Sequence, residues 1–235
     1  MFVSMWMTRE LITVDPTATL AHIATTMSRH KIRRLPVVSP STEGPKLLGI
    51  VSHSDVLHAF PTDINPFSVN AASAVAALEM SGARKRIYAA DLMAREPLTT
   101  APDAPIESAA RLMRDHKIGA LPVVSQHSLV GLITESDIFR ALLEVFEAPD
   151  LAVRLTFSLG PGEDVLPLVA DIARRRAMRV TSFMALPGHE PPVCVVQLAG
   201  EQVEAALDDV WKSKHRVMNV VNLVPARNKD PKPLT

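Results

Sequence analysis

The chain is poor in the features that make a function easy to read. It has one cysteine, nine glycines, one tyrosine and two tryptophans in 235 residues, and its 25 basic and 25 acidic side chains cancel. A single cysteine excludes an internal disulfide and a cysteine-rich zinc cage. Lying in the apolar run Val193–Val196, Cys194 reads as a small buried hydrophobe. Aromatic residues are 4% of the chain against 47% hydrophobic, so its cores must be aliphatic. A neutral chain lacks the basic excess from which non-specific nucleic-acid binders draw affinity. No apolar run approaches the roughly 18 residues of a membrane span. Met1–Thr13 breaks its apolar residues with Ser4, Thr8, Arg9 and Glu10, unlike a signal peptide. The expectation is a protein of the reducing cytoplasm. A nucleophile elbow, a phosphate loop and a zincin helix are also missing, and the eight histidines are scattered. The expectation is therefore a chain that is not an enzyme and carries no metal or catalytic cofactor.

What the chain does have is a repeat. Residues 27–39 read MSRHKIRRLPVVS and residues 113–125 read MRDHKIGALPVVS, identical at nine of 13 positions. The offset of 86 also aligns Met7 with Met93, Arg9 with Arg95, Glu10 with Glu96 and Thr13 with Thr99. Beyond the shared PVVS it falls to 82, where GIVSHSD (49–55) meets GLITESD (131–137). Two copies of one unit follow. In the first, Leu11–Val14 reads as a short strand, and Leu20, Ile23, Ala24 and Met27 keep helical spacing. Leu35–Val38 and Leu47–Val51 are buried strands, and Ser52 caps a second helix. Leu98–Thr100, Ile106–Met113, Leu121–Val124, Leu129–Ile133 and the helix from Glu135 repeat the pattern. Each copy is β-α-β-β-α, too small to cover both faces of its own sheet, so the two should pack as a pseudo-symmetric pair. His30 and His116 end equivalent helices, where a cation suits the dipole.

A helix ending in His-Lys-Ile, then Leu-Pro-Val-Val, then Gly-hydrophobic-hydrophobic-Ser/Thr-x-x-Asp, given twice, resembles a tandem pair of CBS (cystathionine-β-synthase) domains, or Bateman module. The resemblance covers about residues 1–145. It implies a cleft that binds an adenosine-containing regulatory ligand: AMP, ADP, ATP or S-adenosylmethionine. By resemblance, Asp137 and Asp55 accept ribose hydroxyls, a task suited to an acceptor-only carboxylate. Thr134 and Ser52, with the helix N-termini they precede, suit a phosphate; both are also good N-caps whatever else they do. Arg140 matches a phosphate-contacting position, and His58 is its weaker counterpart. Thr13 and Thr99, with Leu35 and Leu121, stand where the family's strands border the adenine. Arg33 and Arg34, which replace Gly119 and Ala120 of the second copy, are either further phosphate ligands or a solvated surface pair.

Between the copies, residues 61–90 form a linker with an Ala-rich helix over Ala71–Met80 and the basic run Arg84-Lys85-Arg86. The Ala face should pack on the module or on a second subunit. After Pro149 the pattern changes to strand Leu151–Leu159, turn Gly160-Pro-Gly162, helix Asp164–Arg176, strands Arg179–Leu186 and Pro192–Leu198, helix Glu201–Lys212 and strand Arg216–Leu223. That β-α-β-β-α-β order is ferredoxin-like. With its Gly-rich first turn the segment resembles an ACT domain, which implies either amino-acid binding at that turn or a dimerising role. Ala177-Met-Arg179 stands where the family often carries an Asn. The expected fold is thus α+β: first CBS domain 1–60, linker 61–90, second CBS domain 91–148, ACT-like domain 149–227 and disordered tail 228–235. The arrangement, with its Met-Phe-Val…Trp-Met-Thr opening, resembles the acetoin-utilization-protein B-like family. A homodimer and a role in signalling metabolite state to a partner, or as an accessory subunit of a metabolic enzyme, are the expectations that follow.

Overall fold

The computed structural model describes residues 1–42, 44–61, 64–68, 71–80, 82, 85–147 and 151–223. The expected disordered tail and Arg84 lie outside them. The chain forms two compact units, one of Met1–Ala141 and one beginning at Leu142.

In the first unit the two copies fold alike. Helix α1 (Leu20–His30) starts where the Thr19 side chain accepts from His22 N, and it buries Leu20, Ile23, Ala24 and Met27. It stops at Lys31, which adopts a left-handed φ of 54° and returns its N–H to the last turn. Strands β1 (Arg34–Ser39) and β2 (Lys46–Ser52) then form an antiparallel hairpin, and α2 (His53–Ala59) follows. The linker supplies α3 (Ala71–Met80), whose Ala71 and Val75 lie in the first copy's core, and the short α4 (Ala89–Leu92). The Ala-rich helix therefore packs on the module itself. After the two-residue β3 (Ala94–Arg95), the second copy gives α5 (Ile106–His116), β4 (Ala120–Ser125), β5 (Ser128–Thr134) and α6 (Glu135–Phe146). Helix α5 ends at Lys117, again at φ 54°. Each hairpin has its register shift at the same place, Val37/Val38 and Val123/Val124. Separate aliphatic cores centre on Leu20, Ile23 and Leu35 in the first copy and on Met113, Leu121 and Ile133 in the second.

Two features depart from the pattern read in the sequence. The leading strand of each copy is reduced to a single parallel bridge, Val14 to Val37 and Thr100 to Val123. Each copy also receives a segment from the other copy, on the opposite edge of its hairpin. Val3 N donates to Ala104 O, Ser4 N to Pro102 O and Ile106 N to Met1 O; Ala89 N donates to Ala18 O, Ala90 N to Pro16 O and Leu20 N to Ile87 O. Thr8 bridges Leu132, and β3 pairs with β2 at Gly49 and Ile50. The lead-in of each copy is thus docked on its partner copy.

Gly49 and Gly131 are what this exchange requires. A Cβ on Gly49 would lie 2.7 Å from both Ala94 O and Met93 Sδ; on Gly131 it would lie 2.5 Å from Met7 Sδ and 3.1 Å from Thr8 O. The equivalent methionines Met7 and Met93 fill the space two missing side chains leave.

The second unit carries β6 (Ala152–Ser158), α7 (Leu166–Arg175), β7 (Arg179–Leu186), β8 (Val193–Ala199), α8 (Val203–Lys212) and β9 (Arg216–Leu223). They make one antiparallel sheet in the order β7-β8-β6-β9. Its core joins Leu155, Phe157, Val196 and Leu198 to Val169, Ile172, Ala206 and Val210 of the two helices. Cys194 is buried there, and that burial raises its thiol pKa. Helices α7 and α8 are clamped by Arg176, which donates to both oxygens of Asp209 at 2.8 and 3.0 Å, with Arg175 joining at 3.2 Å. The hydrogen bonds from Arg176 hold the Asp209 carboxyl below its ordinary pKa. Among the described residues no helix is long and apolar enough to cross a membrane.

Because the nearest atom to a new Cβ at Gly49 includes a backbone carbonyl, which cannot rotate away, Gly49→Ala is expected to destabilise the first unit by roughly 1–3 kcal/mol through overpacking. Removing the methionine in Met93→Ala should not restore it. Hydrogen exchange of the β2 amides reads the outcome.

Candidate functional site

Both copies place a Ser/Thr and an Asp at the start of their last helix, and both use them as a capping box. Ser52 N donates to Asp55 Oδ2 at 2.7 Å and Asp55 N to Ser52 Oγ at 3.2 Å. Thr134 N donates to Asp137 Oδ2 at 2.9 Å and Asp137 N to Thr134 Oγ1 at 3.3 Å. The second box has more. Thr134 Oγ1 also donates to Asp137 Oδ2 at 2.7 Å, and an Arg140 guanidinium nitrogen donates to Asp137 Oδ1 at 2.9 Å. Asp137 is 7% exposed, one of three buried polar or charged residues among those described. With two oxygens and about four lone-pair sites, it satisfies the cap and keeps acceptor capacity on Oδ1.

This second box opens on a cleft of about 550 Å³, lined by Thr8–Ile12 without Arg9, by Lys31–Arg34 and Pro36, and by Gly119, Leu132 and Thr134–Asp137. The volume is that of a small-molecule site, about 300–1,000 Å³. Its walls come from both copies: the lead-in and the start of β1 from the first, the end of β5 and the start of α6 from the second. Lys31, Arg33 and Arg34 bring three cations, and Glu10, Glu135 and Asp137 three carboxylates. The first-turn amides of α6 add partial positive charge. Of these, Glu135 N is engaged with Gly119 O at 3.2 Å. The missing side chain of Gly119 matters, since a Cβ there would stand 3.1 Å from Glu135 Oε2 and 3.3 Å from an Arg34 guanidinium nitrogen.

Of the residues singled out in the sequence, Arg33, Arg34, Thr134 and Asp137 line this one cleft. The arginines were grouped by sequence with Ser52 and Asp55. Their backbone does run there, with Arg34 opposite Ser52 and Arg33 O accepting from His53 N, yet both residues also line the cleft onto which the other copy's box opens. Arg140 stands beside Asp137, half over the Trp6 ring at 5.9 Å and bonded to Trp6 O at 3.2 Å. Ser52, Asp55 and His58 sit on the first copy's box. Thr13 is half-buried, Thr99 exposed, and Leu35 and Leu121 are fully buried within their cores; none of the four lines the cleft. The reading of the sequence missed Thr8, Glu10 and Lys31. Their signal was the repeat of Glu10 and Lys31 as Glu96 and Lys117, but nothing in one copy alone says that the wall it builds belongs to the other copy's pocket.

His53, at the start of α2, stacks on Phe67 of the linker with ring centroids 4.0 Å apart and planes 10° from parallel. Its pKa lies below the ordinary imidazole value, first through burial and then through the charges of Arg33 and Arg34.

Residues 3–62 and 89–144 each match the family model of the CBS domain. A CBS domain-containing protein of Dictyostelium discoideum is 30% identical over 142 residues, 60% of this chain and 90% of that protein. Inosine-5'-monophosphate dehydrogenase of Korarchaeum cryptofilum is 30% identical over 182 residues, 77% of this chain and 32% of that enzyme. The crystal structure of CBSX2 in complex with AMP is similar at 26% identity and a TM-score of 0.48, over 62% of this chain and 98% of that one. The chain spans 20% to 45% of the length of the archaeal relatives it matches.

The position of His53 gives a measurable consequence. A depressed imidazole pKa means that the folded state favours the neutral ring, so protonation is resisted as pH falls. Arg33→Ala removes one of the repelling charges and is expected to raise the His53 pKa toward about 6.5 without abolishing the shift, since burial is its larger cause. An NMR pH titration of the His53 ring resonances follows it.

Proposed function

The chain belongs to the CBS-domain family, and on that premise we propose that its first unit binds an adenine nucleotide (AMP, ADP or ATP) as a regulatory ligand rather than turning it over. The observation that carries the reading is the convergence of Thr134 and Asp137 with Arg33 and Arg34 in one cleft. In this reading Asp137 accepts from the ribose hydroxyls through Oδ1, and Arg33, Arg34 and Lys31 neutralise phosphate. The α6 N-terminus adds its dipole to the same anion. Ser52, Asp55 and His58 form a second, poorer place. S-adenosylmethionine is the alternative ligand: Glu10 and Glu135 supply carboxylates that suit its cationic portion.

The second unit is proposed to be an ACT-like, ferredoxin-like domain over residues 149–227. Its β-α-β-β-α-β order and the sheet order β7-β8-β6-β9 support that reading. Its role is proposed to be dimerisation, with an amino acid at the Gly160-Pro-Gly162 turn as the alternative. The regulated partner is proposed to be a metabolic enzyme, because an enzyme relative, the dehydrogenase above, contains the matching segment as about a third of its length.

Three outcomes test these proposals. Saturating nucleotide, at about 100 times its dissociation constant, is expected to add roughly 2.7 kcal/mol to stability. Asp137→Ala should weaken binding more than Asp55→Ala, as read by titration calorimetry. If AMP, ADP and ATP all leave the melting temperature of nucleotide-free protein unmoved, the ligand reading is wrong. Light scattering is expected to give twice the chain mass of 25.6 kDa, and a dimer lost on deleting residues 150–235 places the interface in the second unit. A monomer at micromolar concentration, with and without nucleotide, removes the dimer.

A further inference from the structure

Arg140 connects three groups that no local rule brings together. Its guanidinium nitrogen donates 2.9 Å to Asp137 Oδ1 and 3.2 Å to the Trp6 carbonyl, and its carbon lies 5.9 Å from the Trp6 ring centroid. Trp6 belongs to the lead-in of the first copy, 134 residues away in sequence. Its indole Nε1 is buried and has no hydrogen-bond partner among the described residues, so the ring is held by packing and by Arg140 rather than by a bond of its own. The residues that follow, Met7 and Thr8, are the ones that seat against Gly131 and bridge Leu132, and Thr8 is itself cleft wall. A continuous physical chain therefore runs from the carboxylate at the cleft, through Arg140, to the strap of residues 1–8.

The pseudo-symmetric position lacks it. His58 stands where Arg140 does and Leu92 where Trp6 does. Among the described residues no ion pair reaches Asp55, whose recorded bonds are those to Ser52. One box is tied to a strap and the other is not.

We propose that Arg140 is a positioning residue, not a phosphate ligand: it orients Asp137 for the ribose and couples occupancy of the cleft to docking of the amino-terminal strap. This rests on the nucleotide reading above. The strap has two states, docked and undocked, and Arg140 bonds Asp137 and Trp6 together only in the docked one. A ligand that fixes the Asp137 carboxylate favours the docked strap, and by linkage a docked strap favours the ligand to the same factor. The guanidinium is largely exposed, 63% for the side chain, so the coupling belongs at the weak end of the usual range, about 5- to 10-fold in affinity.

The test uses the full chain with Trp211→Phe, which leaves Trp6 as the single tryptophan; Trp211 is 60% exposed. AMP and ATP are the probes. Expected are a change in Trp6 fluorescence and slower hydrogen exchange of residues 1–8 on adding nucleotide. Affinity should fall about 5- to 10-fold in Arg140→Ala and less in Trp6→Ala, which removes the ring but keeps the carbonyl that accepts from Arg140, and the double variant should fall no further than Arg140→Ala. Arg140→Lys keeps the charge but reaches two acceptors less well, and it should recover only part. Loss of phosphate contact instead of positioning predicts another pattern: Arg140→Ala weakens ATP far more than adenosine, and strap exchange still slows with ligand. That pattern, or unchanged affinity in Arg140→Ala, Trp6→Ala and the double variant, overturns the proposal while leaving the nucleotide reading intact. Failure of the unsubstituted chain to bind either nucleotide overturns both.

Discussion

The first unit depends on a close approach of backbones that only two glycines permit. At Gly49 the carbonyl of Ala94 and the sulfur of Met93 occupy the place of a side chain, and at Gly131 Met7 does the same. Through these contacts each copy gives its lead-in to the other, with three hydrogen bonds on each side that repeat at an offset of 86 residues. Neither copy can then complete its sheet edge alone, so folding of the pair is a joint event. The exchange also builds the cleft, because the segment that follows a docked lead-in, Thr8 to Ile12, becomes the wall facing the other copy's capping box.

Much of this was legible in the sequence because it is local. The repeat announces two units, the 3.6-residue spacing of Leu20, Ile23, Ala24 and Met27 announces the helix that buries them, and alternation in Val153, Leu155 and Phe157 announces β6. Arg179–Leu186 and Arg216–Leu223 coincide with β7 and β9. What could not be read is non-local. The strands Leu11–Val14 and Leu98–Thr100 have strand composition, but each makes only a single bridge to its hairpin. Likewise Arg33 and Arg34 lie next to Ser52 along the β1–β2 hairpin, and hairpin register is all that sequence spacing reports. Both residues also line a cleft shared with Thr134 and Asp137 of the other copy.

Asp137 illustrates how a structural and a functional reading of one residue can both hold. Its Oδ2 caps α6 through Thr134, a contact worth about 1 kcal/mol by itself. Oδ1 has no part in the cap; it accepts from Arg140, and Asp137 lines the cleft. A carboxylate fixed by its own helix has already lost the rotamer freedom that ligand binding would otherwise have to remove. The cap therefore preorganises the acceptor. The same logic applies at Asp55, where the cap exists without the arginine.

Duplication made the two halves equivalent, and substitutions at matched positions have since made them electrostatically opposite. Arg33 and Arg34 face Gly119 and Ala120 across the pseudo-dyad, and His53 faces Glu135. The first copy's segment carries cations where the second copy's is neutral, and its helix starts with an imidazole where the second starts with a carboxylate. An anionic ligand consequently meets different fields at the two boxes even though their capping geometry is the same. Burial and the adjacent arginines keep His53 in its neutral form to lower pH, which withholds a further positive charge from the first box. Arg33 and Arg34 of the first copy also line the cleft that holds the second copy's Asp137. A symmetric backbone thus carries two capping boxes whose surrounding charges differ.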